Sequence, residues 1–415
     1  MRVGFALHGS RGDIQPAVAL AVGLVDRGHE VRLAVPDNLV AAVERTGLPT
    51  QSIGPDTAEL LRSPLIREQL HAKDPRVRFR ALREVGAYGA TESEAAISAL
   101  ADVADNIVCG PVGQERAAAI AESRQIAYAG LNYCPVRPNS SVSPTAGDWP
   151  RWTRRPAWSV AERVYHLSVR GAEADLRRRL DLAPAKGPLS HRLRSDGFRE
   201  IQAYDPLLFK GLDAEWGAQR PVVGSLVADR NTRLALNDHQ DAATVEALDW
   251  ADAGPAPVYV GFGSMPVDKD RVITVVDALS RQGLRVIAHT PHPVGADGVH
   301  HVADAVDHEV LLPHCAGAVH HGGAGTTGAA TRAGIPSVIG WLSADQPLWA
   351  GALRRAGVGG GAPLSRLGAT HLEPLTDPET RRAARELADR LIPPTDALSS
   401  ACAVLSDQAA RPYRR

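Results

Sequence analysis

Residues 320–336 read HHGGAGTTGAATRAGIP, and the fold follows from what flanks them. The preceding CAGAVH (315–320) is short and apolar, like a buried strand. GAATRAG (328–334) reads as a helix and IPSVIGW (335–341) as the next strand. Strand, glycine turn, helix, strand is one unit of a doubly wound parallel sheet, whose ligands sit beyond the carboxyl ends of the strands. Gly322, Gly323 and Gly325 carry no side chain to hold a ligand at a distance. The first turn of the helix that follows has unpaired N–H groups, and its dipole favours an anion by roughly 0.3–1 kcal/mol. Thr326 and Thr327 add hydroxyl donors, and His321 can donate from its ring. No lysine follows, so this is no Walker loop, and it is not Gly-x-Gly-x-x-Gly either. The turn either cradles an anion or lets helix and strand pack closely.

The same plan repeats outward. PVYVGFGS (257–264) is a strand ending in glycines, DKDRVITVVDALSRQG (268–283) a helix, LRVIAHT (284–290) a strand and QPLWAGALRRAG (346–357) another helix. At the other end RVGFALH (2–8) is a strand, GSRGD a loop, IQPAVALAVGLVDRG (14–28) a helix with Pro16 in its first turn, and EVRLAVP (30–36) a strand. A chain of 415 residues exceeds one ordinary core. The expected class is therefore α/β, two Rossmann-like doubly wound lobes facing across a cleft. Expected boundaries are residues 1–222, a linker at 223–240, residues 241–392, and a final segment 393–415 packing back on the first lobe.

Composition excludes several classes. A net charge of -1 gives no reason to expect nucleic acid as a partner. Only four of the 46 Lys and Arg residues are lysine (Lys73, Lys186, Lys210, Lys269), a codon effect of a GC-rich genome. Cys109, Cys134, Cys315 and Cys402 are too scattered for a zinc site or a disulfide framework. No signal-peptide pattern opens the sequence and no run of about 18 apolar residues occurs, so the expected location is the cytoplasm. DKD (268–270) is ordinary helix capping, and no metal or other cofactor is expected.

The stretch HHGGAGTTGAATRAGIPSVIGWLSADQPLWAGALRRAGVG (320–359) resembles the donor-site signature of GT-B glycosyltransferases that use UDP- or TDP-sugars, most of all the bacterial branch acting on antibiotics, glycolipids and sterol-like acceptors. GFGSM (261–265) and GSRGDIQP (9–16) resemble that family too. The resemblance implies an inverting transferase that moves a sugar from a nucleotide to a hydroxyl of a hydrophobic acceptor. It implies that His321 and the Gly322–Thr327 turn hold the diphosphate. It also implies that Asp345 and Gln346 grip sugar hydroxyls, although Asp345 could simply cap the helix at Pro347. The base would lie near Val306, with His308 close by.

Asp13 matches the acid that serves this branch as general base, or else caps a helix. At an ordinary pKa of about 3.9 it would be a weak base. Ser10 and Ser264 would donate to phosphate or sugar, or cap turns. His8, Arg11, Tyr133 and Trp149 are the expected acceptor contacts, with Asn132 and residues 139–144 beside them. Arg11 would pair with Asp13 or with an acceptor carboxylate. WPRWTRRPAW (149–158) reads as a Trp-rich loop whose indoles suit a flat, apolar acceptor and whose arginines suit an anionic one or a peripheral membrane contact, or which simply packs on its own lobe. The other readings are a nucleotide-sugar epimerase or hydrolase, or a non-catalytic auxiliary. The expected state is monomer or homodimer.

Overall fold

The computed structural model describes the chain except residues 73, 240, 264, 266, 410–412 and 414–415, and the side chains of residues 58, 61, 62, 67, 71 and 409. The first lobe has six parallel strands: β1 (Arg2–Ala6), β2 (Glu30–Val35), β3 (Thr50–Ser52), β4 (Asn106–Cys109), β5 (Ala127–Asn132) and β6 (Glu200–Gln202), in the order β3-β2-β1-β4-β5-β6. The second has β7 (Val258–Gly261), β8 (Val286–His289), β9 (Val299–Val302), β10 (Gly317–His320), β11 (Ser337–Trp341) and β12 (Gly359–Pro363), in the order β12-β11-β10-β7-β8-β9. Phe5 pairs with Leu33 on one side and Val108 on the other, and all three are fully buried. His320 stands between Gly261 and Ile339. The winding reverses between β1 and β4 and between β10 and β7, so a crevice opens at the carboxyl ends of each pair.

Two helix starts differ from the sequence reading. The first helix runs Arg11–Val25, which places Pro16 inside it rather than in its first turn. Ser10 precedes it as N-cap, and the Asp13 carboxylate accepts the Ser10 backbone N–H at 2.8 Å, which fixes the start. Proline lacks the N–H that would bond back to Gly12, a gap that costs least near the helix start. The helix after β10 begins at Ala324, not Gly328. The threonines lie within its first turns, and the turn proper is only His321–Gly323.

Val223, Leu226 and Leu236 of the connecting segment join the first-lobe core, and residues 230–236 of it form a helix. The Pro394–Ala409 helix also packs there, with Ala397, Ala401, Cys402 and Leu405 in the same core as Leu20 and Leu24. Another apolar cluster spans both lobes. Trp349 packs on Phe209, ring centroids 5.0 Å apart, and on Tyr204 at 6.5 Å. No helix among the described residues is long and apolar enough to cross a membrane.

Candidate active site

On the first lobe, β1 delivers His8, Gly9 and Ser10 to the crevice. Gly9 has φ +115°, and a Cβ there would strike the Asp13 carboxylate, so only glycine lets the chain turn under it. Asp13 Oδ2 accepts from Ser10 N at 2.8 Å and from Ser10 Oγ at 3.1 Å. Ser10 thus holds Asp13. Burial pushes the Asp13 carboxyl up to about 6, against the Ser10 hydrogen bonds that favour its charged form, and Asp345 adds to the rise. The ordinary value expected from sequence is corrected: Asp13 titrates where a general base works well. His8 hydrogen-bonds Ser93 at 2.9 Å and is pushed down to about 4 by burial and Arg116, so it is neutral. Arg11 does not pair with Asp13. Its guanidinium donates to Leu236 O at 3.1 Å and Asn237 Oδ1 at 3.2 Å, clasping the connecting segment.

On the second lobe, His320 is buried in the strand and its Nδ1 accepts the Gly322 N–H at 3.1 Å. Gly322 has φ +92°, and a Cβ there would come 2.6 Å from Ile339, so the turn requires glycine. His321, Gly323, Ala324, Gly325 and Thr326 line the cleft; Gly322 and Thr327 do not. The Thr327 hydroxyl donates to Gly323 O at 2.9 Å, back along its own helix. Burial pushes His321 down to about 4, so its ring is neutral, and its Nδ1 has no hydrogen-bond partner among the described residues. Ser264 lies outside the described residues. Val306 lines the cleft, and nearby the Tyr259 hydroxyl lies 2.8 Å from both His289 Nδ1 and His308 Nε2.

The Asp345 side chain does not cap its helix. Its Oδ2 accepts the Trp349 indole N–H at 2.9 Å, the Cys134 thiol is a second partner, and burial raises its pKa. Gln346 Oε1 accepts the amides of Leu342 at 2.7 Å and Ser343 at 3.1 Å, so its remaining offer to a ligand is the NH2 group. Asp13, His321, Asp345, Gln346 and Tyr133 line one cavity of about 1320 Å³, made by both lobes.

Residues 3–130 match the glycosyltransferase family 28 N-terminal domain, and residues 265–400 the C-terminal domain of erythromycin biosynthesis protein CIII-like proteins. Across 99% of its length the chain is 36% identical to an uncharacterized glycosyltransferase of Mycobacterium leprae, of which 98% is covered. It is 31% identical over 99% of its length to the vancomycin aglycone glucosyltransferase of Amycolatopsis orientalis, again with 98% covered. The chain is a glycosyltransferase of the antibiotic-type GT-B family. Its fold agrees with SnogD from Streptomyces nogalater (TM-score 0.65, 19% identity, 98% of this chain and 99% of that one). It also agrees with VinC, solved in complex with DTDP (TM-score 0.65, 18% identity, 98% and 100%).

The tryptophans of this glycosyltransferase are not arranged as the sequence suggested. Residues 151–179 form one helix, not a loop. Six positions at about 100° each put Trp152 and Trp158 on different faces. Trp152 is 81% exposed, Trp149 donates to Thr145 at 3.0 Å outside the cleft, and Trp158 alone of the three lines it. Residues 139–144 are likewise absent from the cleft wall, and the Ser140 amide closes on Glu215. The sequence reading missed Cys134, Tyr165 and Glu115, which all line the cavity. Only Cys134 carried a signal, its adjacency to Tyr133 just past β5. Among the described residues no three His, Cys, Asp or Glu side chains are placed to hold a metal ion.

Proposed function

We propose that the enzyme transfers a sugar, with inversion, from a UDP- or TDP-activated donor to a hydroxyl of a hydrophobic small-molecule acceptor. The carrying observation is that Asp13 and the start of the Ala324–Arg332 helix line the same cavity from opposite lobes. The diphosphate sits on the amides of Gly323–Thr326 and the His321 ring, where helix-start N–H groups are unpaired. The nucleobase lies toward Val306. Asp345 accepts from a sugar hydroxyl and the Gln346 NH2 donates to its neighbour.

The acceptor hydroxyl attacks the anomeric carbon from the Asp13 side and its proton passes to the Asp13 carboxylate. The bond from that carbon to the diphosphate oxygen breaks, and the leaving charge is met by the helix start. Amides, a neutral imidazole and a dipole supply these donors, so this reading needs no metal ion. The epimerase and auxiliary readings give no role to a buried base on the lobe opposite the phosphate turn.

The test incubates the protein with UDP-glucose or TDP-glucose and a panel of hydroxylated aglycones in EDTA. A β-linked glycoside by NMR, formed from the α-linked donor, is expected. An α-linked product contradicts inversion. Turnover restored only by added magnesium contradicts the metal-free reading.

A further inference from the structure

The cavity continues past Asp13 into the first lobe, where Leu82, Val85, Trp158, Val169 and Leu176 form apolar walls. Besides Glu94, which is paired with Arg179, three carboxylates line this inner chamber: Glu115 from the first turn of the Gln114–Arg124 helix, and Glu162 and Glu173 from the Arg151–Arg179 helix. Among the described residues Glu162 Oε1 and Glu173 Oε2 are buried without a hydrogen-bond partner, on side chains only 7% and 2% exposed. Glu115 Oε2 is 3.4 Å from the Tyr165 hydroxyl, a long and weak contact.

Arg83, Arg116 and Arg137 also line the cavity, but among the described residues the neighbouring arginines leave Glu162 Oε1 and Glu173 Oε2 without a hydrogen bond. Arg137 donates to Glu200 and to Gln114, each at 2.5 Å, and stands 3.9 Å from Glu162. Arg192 is bound to the other oxygen of Glu173. Arg116 donates to Gly86 O at 3.2 Å and lies 3.7 Å from Glu94. His191, 3.8 Å from Glu162 Oε2, is mostly exposed. Two more buried groups without partners, the Tyr133 hydroxyl and the Asn132 amide nitrogen, line the same cavity.

Buried carboxylate oxygens without donors are costly unless something supplies them. We propose that this chamber binds a cationic amine carried by the acceptor, with Glu115 as its principal counter-ion. This rests on reading the cleft as the transferase site. An ammonium brings up to three N–H donors and no acceptor, which is what three acceptor-only carboxylates lack. A neutral hydroxyl would satisfy one oxygen, and a carboxylate or phosphate would bring no donor. Trp158 and the aliphatic walls take the hydrocarbon next to the charge, and the Tyr165 ring adds a face for a cation. The arginines around residues 149–158 suggested an anionic acceptor; the unpartnered oxygens of Glu162 and Glu173 call for donors instead.

The test uses the full chain and two probes, 4-phenylbutylamine and its N-acetyl derivative, with affinity read by calorimetry. The amine is expected to bind about tenfold more tightly, the scale of one charge-assisted hydrogen bond. Glu115→Gln is expected to abolish that preference, and Tyr165→Phe to retain it. Equal affinity of the two probes for the unaltered protein, or a full preference surviving in Glu115→Gln, overturns the proposal. If Glu115→Gln does not fold, the comparison on the unaltered protein decides alone. UDP and TDP are titrated into the same samples. Their failure to bind counts against the donor reading, while the amine preference stands or falls separately.

Discussion

Replacing Asp13 by Asn tests the base and the cost of burying it together. Loss of a general base typically lowers turnover by roughly 10²–10⁴. The same change should stabilise the protein. The folded-state pKa is raised, from 3.8 to about 6. The cost of ionising Asp13 in the fold is therefore absent below 3.8, grows as pH rises toward 6, and is full at pH 7. A rise of that size corresponds to ~3 kcal/mol. The carboxylate opens onto the cavity, where water can reach it, so this is an upper bound and a gain of about 1–3 kcal/mol is expected. Turnover of the unaltered enzyme should be half-maximal near the pH at which Asp13 titrates, about 6, and fall about tenfold per pH unit below it. Release of nucleoside diphosphate between pH 4.5 and 8, followed by chromatography, reads the first effect, and thermal denaturation the second. Asp13→Asn turnover within about threefold of the unaltered enzyme would refute the base assignment. A plateau extending down to about pH 4.5 would refute the raised carboxyl.

Other outcomes follow from neighbouring contacts. Ser10→Ala removes the 3.1 Å hydroxyl bond to Asp13 and should move the acid limb of the profile upward by about half to one pH unit; an unmoved limb would show that Ser10 does not tune the base. His321→Ala should weaken nucleoside-diphosphate binding about tenfold, and because His321 is neutral above about 4, that affinity should not change between pH 5.5 and 8 on its account. Equal affinity by calorimetry would remove His321 from the phosphate site. Trp349→Phe keeps the packing on Phe209 but deprives Asp345 of its indole partner. Turnover should fall about tenfold with nucleotide affinity intact, and a selective loss of nucleotide binding would contradict the sugar role.

The two lobes were legible because apolar strands and amphipathic helices leave periodic marks in the chain. The glycine turn was legible because the fold tolerates only glycine at position 322. What escaped depends on contacts far apart in sequence. The Ala324 start was obscured because glycines and threonines suggest a loop, yet the buried Thr327 hydroxyl bonds inside the helix. The shift at Asp13 comes from burial between lobes and from Asp345, 332 positions away in the chain. Arg11 reaches Leu236, which no local pattern predicts. Trp152 and Trp158 cannot be told apart by composition; helical phase decides which one enters the cleft. Glu115 carries no local signal, because an acid in the first turn of the Gln114–Arg124 helix is ordinary and only the distant Arg151–Arg179 helix closes a chamber over it.

The most direct test is a crystal structure with UDP or TDP bound, together with a fluorinated, unreactive sugar donor. The account predicts diphosphate oxygens within roughly 3.2 Å of the Gly323–Thr326 amides, with the anomeric carbon turned toward the Asp13 carboxylate. A nucleotide bound away from that helix start, or a sugar whose reacting face points away from Asp13, would contradict it.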